Sequence, residues 1–304
     1  MARQRMPGRA EAIIQELLVA NANTLPQPDR SADFADTATV EDAWAIIRRR
    51  QPLPVRIVAT STLMGYQLAT IALAPWLIAQ GRRARARTIR LPEPPGARAG
   101  AAGTGIPLRL LITGDSAAAG VGARTQQEAL SGQLVANLSA HFAVDWKLMG
   151  QTGRTSQDLI DHLGAAAPES FDVALISIGV NDITTRTPVR TWVGQQVALA
   201  AVLKARFGVR HILFTSPPPM HLFPALPQPL RWFLGTRAKQ FGAILRRVVA
   251  ADPACELIRL EFPFDASHIA DDGFHPAAPA YRLWALAAAE RIRRRIDATS
   301  VVSD

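Results

Sequence analysis

The chain has 304 residues, 48% of them hydrophobic, which is enough apolar content to bury the core of one large domain or two smaller ones. Its formal net charge of +9 sits mostly in the first 105 residues, and basic and aromatic residues nowhere interleave as a single-strand groove requires, so nucleic acid is excluded as a partner. Cys255 is the only cysteine, which excludes an intrachain disulfide and a cysteine metal cluster; in DPACELIRL it reads as a small buried hydrophobe.

The first 55 residues are loosely organised. EAIIQELLV (11–19) has the spacing of a short amphipathic helix, and TVED (39–42) resembles a capping box leading into Val40, Trp44 and Ile47, with a polar stretch between them. No residue from Ile57 to Gly81 is charged, so the segment 57–80 is long enough to span a bilayer. Thr60, Ser61, Thr62, Gln67 and Thr70 dilute it, however, and Pro75 interrupts it. Arginines flank both ends, Arg48, Arg49, Arg50 and Arg56 before and Arg82, Arg83, Arg85, Arg87 and Arg90 after, which blunts any argument about orientation. Two readings stay open: membrane attachment through 57–80, or a helix packed on the protein's own surface. RLPEPPGARAGAAGTG (90–105) reads as a Pro/Gly/Ala linker. Residues 1–105 are thus expected to form a helical and irregular N-terminal extension, partly disordered, ahead of a compact domain at 106–304 in a cytoplasmic protein.

Within that domain strand-like and helix-like segments alternate. Strands are predicted at 107–113, 143–149, 171–178, 210–215 and 256–260, with helices at about 125–141, 155–164, 188–206, 230–250 and 277–296. Such alternation predicts a parallel sheet covered by helices on both faces, and in such a sheet ligands bind beyond the carboxyl ends of the strands.

Reactive residues follow the strands as this rule requires. The first strand ends in Gly114-Asp115-Ser116, the second is followed by GQTGRT (150–155), the third by Gly179-Val180-Asn181-Asp182, and the last by DDGFHP (271–276). A serine hydroxyl is a weak nucleophile until a base accepts its proton, and a histidine serves best when a carboxylate fixes its tautomer. Asp272, three residues before His275, lets one loop supply orienter and base, leaving Ser116 to attack. A tetrahedral intermediate then needs donors for its oxyanion, and the N–H groups of Ser116 and Gly153 and the side-chain amide of Asn181 qualify.

At these residues the sequence resembles the SGNH hydrolases, also called the GDSL esterase and lipase superfamily, whose four blocks carry Ser, Gly, Asn and His in that order. The matching positions are Ser116 in GDSAAAG, Gly153 in GQTGRTS, Asn181 in GVND and His275 in DGFHP, with Asp272 as the triad acid. Ala117 replaces the leucine of the family's name, and the second block is the loosest match. The resemblance covers about residues 106–296. It implies a three-layer α/β/α flavodoxin-like fold with a central five-stranded parallel sheet in the order 2-1-3-4-5, no metal or other cofactor, and cleavage of carboxylic esters or thioesters through an acyl-enzyme on Ser116.

Plainer roles compete for each residue. Ser116 could serve as a helix cap, Asn181 as a turn residue and Gly153 as a left-handed turn position. Asp115 and Asp182 read as loop stabilisers, Asp271 as a substitute for Asp272, His221 and His268 as second-choice bases, and His141, His162 and His211 as structural. Gly120-Val121-Gly122 falls short of a dinucleotide fingerprint because Thr125 takes the third glycine's place. A metallophosphoesterase needs Asp and His ligands after the first strand, and no Asp-x-His is there. The long loop SPPPMHLFPALPQPLRWFLG (216–235) is a candidate acyl pocket, with Met220, Leu222, Phe223, Leu226 and Trp232 as walls. With the apolar segment 57–80, it tilts the expected ester substrate toward lipid-like acyl groups of the lysophospholipase kind. The alternative is a non-catalytic, membrane-associated binding module on the same fold.

Overall fold

The computed structural model describes residues 53–260 and 263–300. The elements predicted at 11–19 and 39–47, and the disorder expected of the extension's start, lie outside the described residues. In chain order the elements are α1 (Leu53–Arg87), β1 (Ala99–Ala102), β2 (Ile106–Gly114), α2 (Ser116–Ala119), α3 (Leu130–Leu138), β3 (Phe142–Gly150), α4 (Ser156–Ala165), β4 (Val173–Ser177), α5 (Val180–Thr184), α6 (Val189–Phe207), β5 (His211–Thr215), α7 (Leu230–Val249), β6 (Cys255–Ile258) and α8 (Ala278–Ser300).

Six strands form one sheet in the order β1-β3-β2-β4-β5-β6. The five from β2 onward are mutually parallel, so the expected order 2-1-3-4-5 holds among them. Runs such as VALIS and HILFT are buried at every position because both faces of a parallel strand are covered. Alternate side chains then feed two cores. Leu111, Ala174, Ile176, Ile212 and Phe214 point into the layer holding α4, α6 and α7, while Leu110, Ile112, Val173, Leu175 and Leu213 point into the layer of α3 and α8. The fold is a three-layer α/β/α sandwich.

One expectation needs correcting, and one of the two open readings gains support. Residues 90–105 are no free linker: β1 adds an antiparallel edge to β3, with Gly100 opposite Trp146. AGAA carries no strand pattern, because an edge pairs through its backbone; a Cβ at Gly100 would stand in ordinary contact with the Trp146 indole, at 3.5 Å. The apolar segment 57–80 belongs to a single helix, α1, that runs on through Pro75 to Arg87. Its Tyr66, Leu73, Leu77 and Ala84 pack on the core, and no described helix is long and apolar enough to cross a membrane.

Candidate active site

Adjacent parallel strands bring distant loops together. The register sets Gly114 beside both Gly150 and Ser177, so the loops after β2, β3 and β4 open on one rim. Asp115 is the N-cap of α2, its carboxylate accepting from Ala117 N at 3.1 Å, while its own N–H donates to Ser177 O at 2.9 Å. The cap role therefore falls to Asp115 and leaves the Ser116 hydroxyl for other work.

That hydroxyl meets the last loop. His275 Nε2 lies 2.8 Å from Ser116 Oγ, and His275 Nδ1 lies 2.5 Å from Asp272 Oδ2. The other oxygen of Asp272 accepts from Phe274 N at 2.9 Å and His275 N at 3.0 Å, which locks the carboxylate to its own loop. Burial pushes the Asp272 carboxyl up, but the His275 ring and these two N–H groups outweigh it and hold the group below the ordinary carboxylate range. Such a chain can draw a proton from a serine and keep the resulting imidazolium oriented.

The oxyanion candidates sit on the neighbouring loops. Asn181 opens α5 and donates through Nδ2 to Arg154 O at 2.8 Å, tying the β4 loop to the β3 loop. Gly153, the residue before Arg154, is exposed with φ +87°. The β3 loop is further held from outside the parallel sheet. Glu93 Oε1 accepts from Thr152 N at 2.7 Å and from Thr152 Oγ1 at 2.9 Å, while Arg98 donates to Gly150 O and pairs with Glu93 at 3.0 Å. Neither Glu93 nor Arg98 announces itself in the sequence.

The remaining polar candidates separate cleanly. Asp182 accepts from Ser156 N at 3.0 Å and Ser156 Oγ at 2.9 Å, closing the start of α4 as a loop stabiliser. Asp271 borders a second cavity, of about 430 Å3, between the end of α1 and residues 224–227, which Asp272 also lines; unlike Asp272, it makes no bond to His275 among the described contacts. His268 lines the Ser116 cavity but bonds to Asp265 at 2.8 Å, and His221 lies away from it against α7. His211 is buried against Glu256 at 3.2 Å and His141 meets Arg293 at 3.2 Å, both remote from the rim. His162 ends α4.

An apolar cavity of about 50 Å3 opens at Ser116 and His275, walled by Pro217, Phe223, Leu260, Phe264, Phe274 and Trp284. Of the five expected walls only Phe223 is among its lining residues. Met220 and Leu226 are buried in the core below, where the proline-braced loop anchors itself, and Leu222 and Trp232 face outward, 45% and 39% exposed. Phe274 was the wall within reach of sequence reasoning, since it stands beside His275; its ring meets that imidazole edge-on at 5.4 Å and Phe223 at 4.9 Å.

Solved structures with similar folds include an acetylxylan esterase from Geobacillus stearothermophilus (17% identity, TM-score 0.45, covering 62% of this chain and 95% of that one). Others are a member of the lipolytic protein G-D-S-L family from Veillonella parvula (16%, 0.45, 60% and 96%) and the psychrotrophic esterase EstA from Pseudoalteromonas sp. (20%, 0.47, 62% and 98%). No curated protein matches the chain. The sequence itself matches the GDSL-like lipase/acylhydrolase family over residues 112–283, from within β2 to within α8, and the chain belongs to that family.

Proposed function

We propose that the protein is a serine-dependent carboxylic ester hydrolase. The observation that carries this reading is the hydrogen-bonded chain Ser116–His275–Asp272 at the mouth of an apolar cavity. Ser116 attacks the ester carbonyl as His275 takes its proton, and Asp272 holds the ring in the tautomer that accepts at Nε2. The N–H groups of Ser116 and Gly153 and the amide of Asn181 receive the oxyanion. His275 then returns the proton to the departing alcohol, and water activated by the same ring clears the acyl-enzyme. A thioester fits the same steps.

The acyl side reads as apolar, because aromatic rings wall the cavity and a sugar would need polar partners there. Lipid-like esters are the preferred class, and a volume of about 50 Å3 sets the optimum at shorter chains unless Phe223 or Phe274 moves aside.

The test is hydrolysis of p-nitrophenyl esters from acetate to palmitate by the wild type and Ser116→Ala. Turnover should fall on the order of 10⁴- to 10⁶-fold in the variant. A preference for acetylated carbohydrate over acyl chains of six or more carbons would remove the lipid-like class. Folded wild-type protein that turns over none of these esters would favour the non-catalytic binding module.

A further inference from the structure

Helix α1 is apolar on both sides but uses only one. Tyr66, Leu73, Leu77 and Ala84 recur at helical spacing toward the core, and Gln80 fastens that side by donating to Gln228 O and accepting from Leu230 N at 3.1 Å. The opposite face carries Leu68, Ile71, Ala72, Pro75 and Trp76, all exposed; Leu68, Ile71 and Trp76 are 64%, 59% and 58% exposed. An interfacial helix normally needs a polar face to meet water. Here the protein itself covers that side, so the apolar outer stripe is left for a partner.

Charge identifies the partner. No acidic residue occurs between Asp42 and Glu93, while Arg82, Arg83, Arg85, Arg87 and Arg90 follow the stripe directly, all of them exposed. A second copy of α1 could cover the stripe, but it carries no acidic residue and would offer these arginines no opposite charge. An anionic lipid surface satisfies both features, since apolar side chains enter the acyl boundary, a tryptophan sits at headgroup depth and guanidinium groups meet phosphates. We propose that α1 lies in the surface of an anionic lipid bilayer, with Leu68, Ile71 and Trp76 inserted and Arg82, Arg83 and Arg85 on the headgroups.

This proposal is independent of the ester-hydrolase reading. The experiment is flotation of the full chain with vesicles of phosphatidylcholine alone or mixed with phosphatidylglycerol. Wild type should float with the mixed vesicles, less so as salt rises, and stay down with phosphatidylcholine alone. The combined variant Arg82→Gln, Arg83→Gln and Arg85→Gln should bind on the order of 10²-fold more weakly, at about fivefold per arginine. The combined variant Leu68→Gln, Ile71→Gln and Trp76→Gln should not float. Both variants replace exposed groups outside the Ser116 cavity, so both should hydrolyse soluble p-nitrophenyl acetate like the wild type. Wild type that fails to float, or an apolar-face variant that floats equally well, overturns the proposal. So does a wild-type dimer in sedimentation that the apolar-face variant converts to monomer, which would assign the stripe to a second copy. Flotation without esterase turnover would overturn the function above and leave this proposal standing.

Discussion

Asn181 commits one side-chain N–H to Arg154 O, which fixes the plane of its amide, and an amide has a second N–H to offer a ligand. Asn181→Ala should therefore lower kcat by roughly 10²- to 10³-fold with little change in KM, as steady-state kinetics on a short p-nitrophenyl ester will show. Asp115 poses a different question, because burial pushes its carboxyl up to about 7 despite help from Ala117 N–H and the His275 ring. The folded state thus holds this proton more tightly than the unfolded chain does. Its contribution to stability is complete below the ordinary carboxylate range and is lost as pH rises through about 7. Asp115→Asn keeps an oxygen for Ala117 N and has nothing to ionise. Relative to wild type, its melting temperature should rise between pH 5 and pH 8, and a constant difference would refute the assignment. At this scale the sequence was most readable where chemistry demands one residue type: the structure joins Ser116, His275 and Asp272 in one hydrogen-bonded chain. Beyond Phe223 and Phe274 the cavity walls were not readable, because any large apolar side chain serves, and Phe264 and Trp284 arrive from separate parts of the chain.

Elements were legible where period and punctuation agreed. Helix α6 ends at Gly208 and α4 begins with a Thr155/Asp158 capping box, both close to the predicted boundaries. The four- and five-residue helices α2 and α5 were missed because one turn carries no period. The Gly120-Val121-Gly122 turn between α2 and α3 shows how elements register on one another. Tyr281 on α8 donates to Val121 O at 2.7 Å, and a Cβ added at Gly122, where φ is +99°, would stand 2.2 Å from Pro276 O and 3.3 Å from His275 Cβ. Gly122→Ala should cost about 1–3 kcal/mol of stability and also reduce kcat, because relieving the clash displaces the histidine loop. Gly208→Ala is the control. It meets nothing within 4 Å, so a φ of +62° should cost only about 1 kcal/mol and leave kcat intact. Melts and kinetics on the pair separate strain from misplacement.

Across the whole molecule, the segment before the parallel sheet braces the β3 loop that carries Gly153. The Glu93–Arg98 pair is partly exposed, so as an ion pair it contributes no more than about 1 kcal/mol. As a brace on Thr152 it matters more, because misplacing a catalytic group by an ångström can cost on the order of 10²-fold. Glu93→Ala should thus lower kcat by roughly ten- to a hundredfold with a small change in melting temperature. Glu93→Gln, whose carbonyl oxygen can still accept from Thr152 N–H, should recover most of the activity. The five parallel strands and their order were expected from the alternation and the family resemblance; β1 and this brace were not, since a Pro/Gly/Ala string signals a loop whether or not its backbone finds an edge to pair with. The Ser116–His275–Asp272 chain spans the fold: Ser116 and His275 are separated by 159 positions and touch at a single hydrogen bond. Helices can form from local contacts, but that bond needs the opening parallel strand and the closing loop in place together. Covalent labelling of Ser116 by an activated phosphonate would therefore count finished molecules, and after dilution from urea it would date the final event of refolding, well after the helical signal returns.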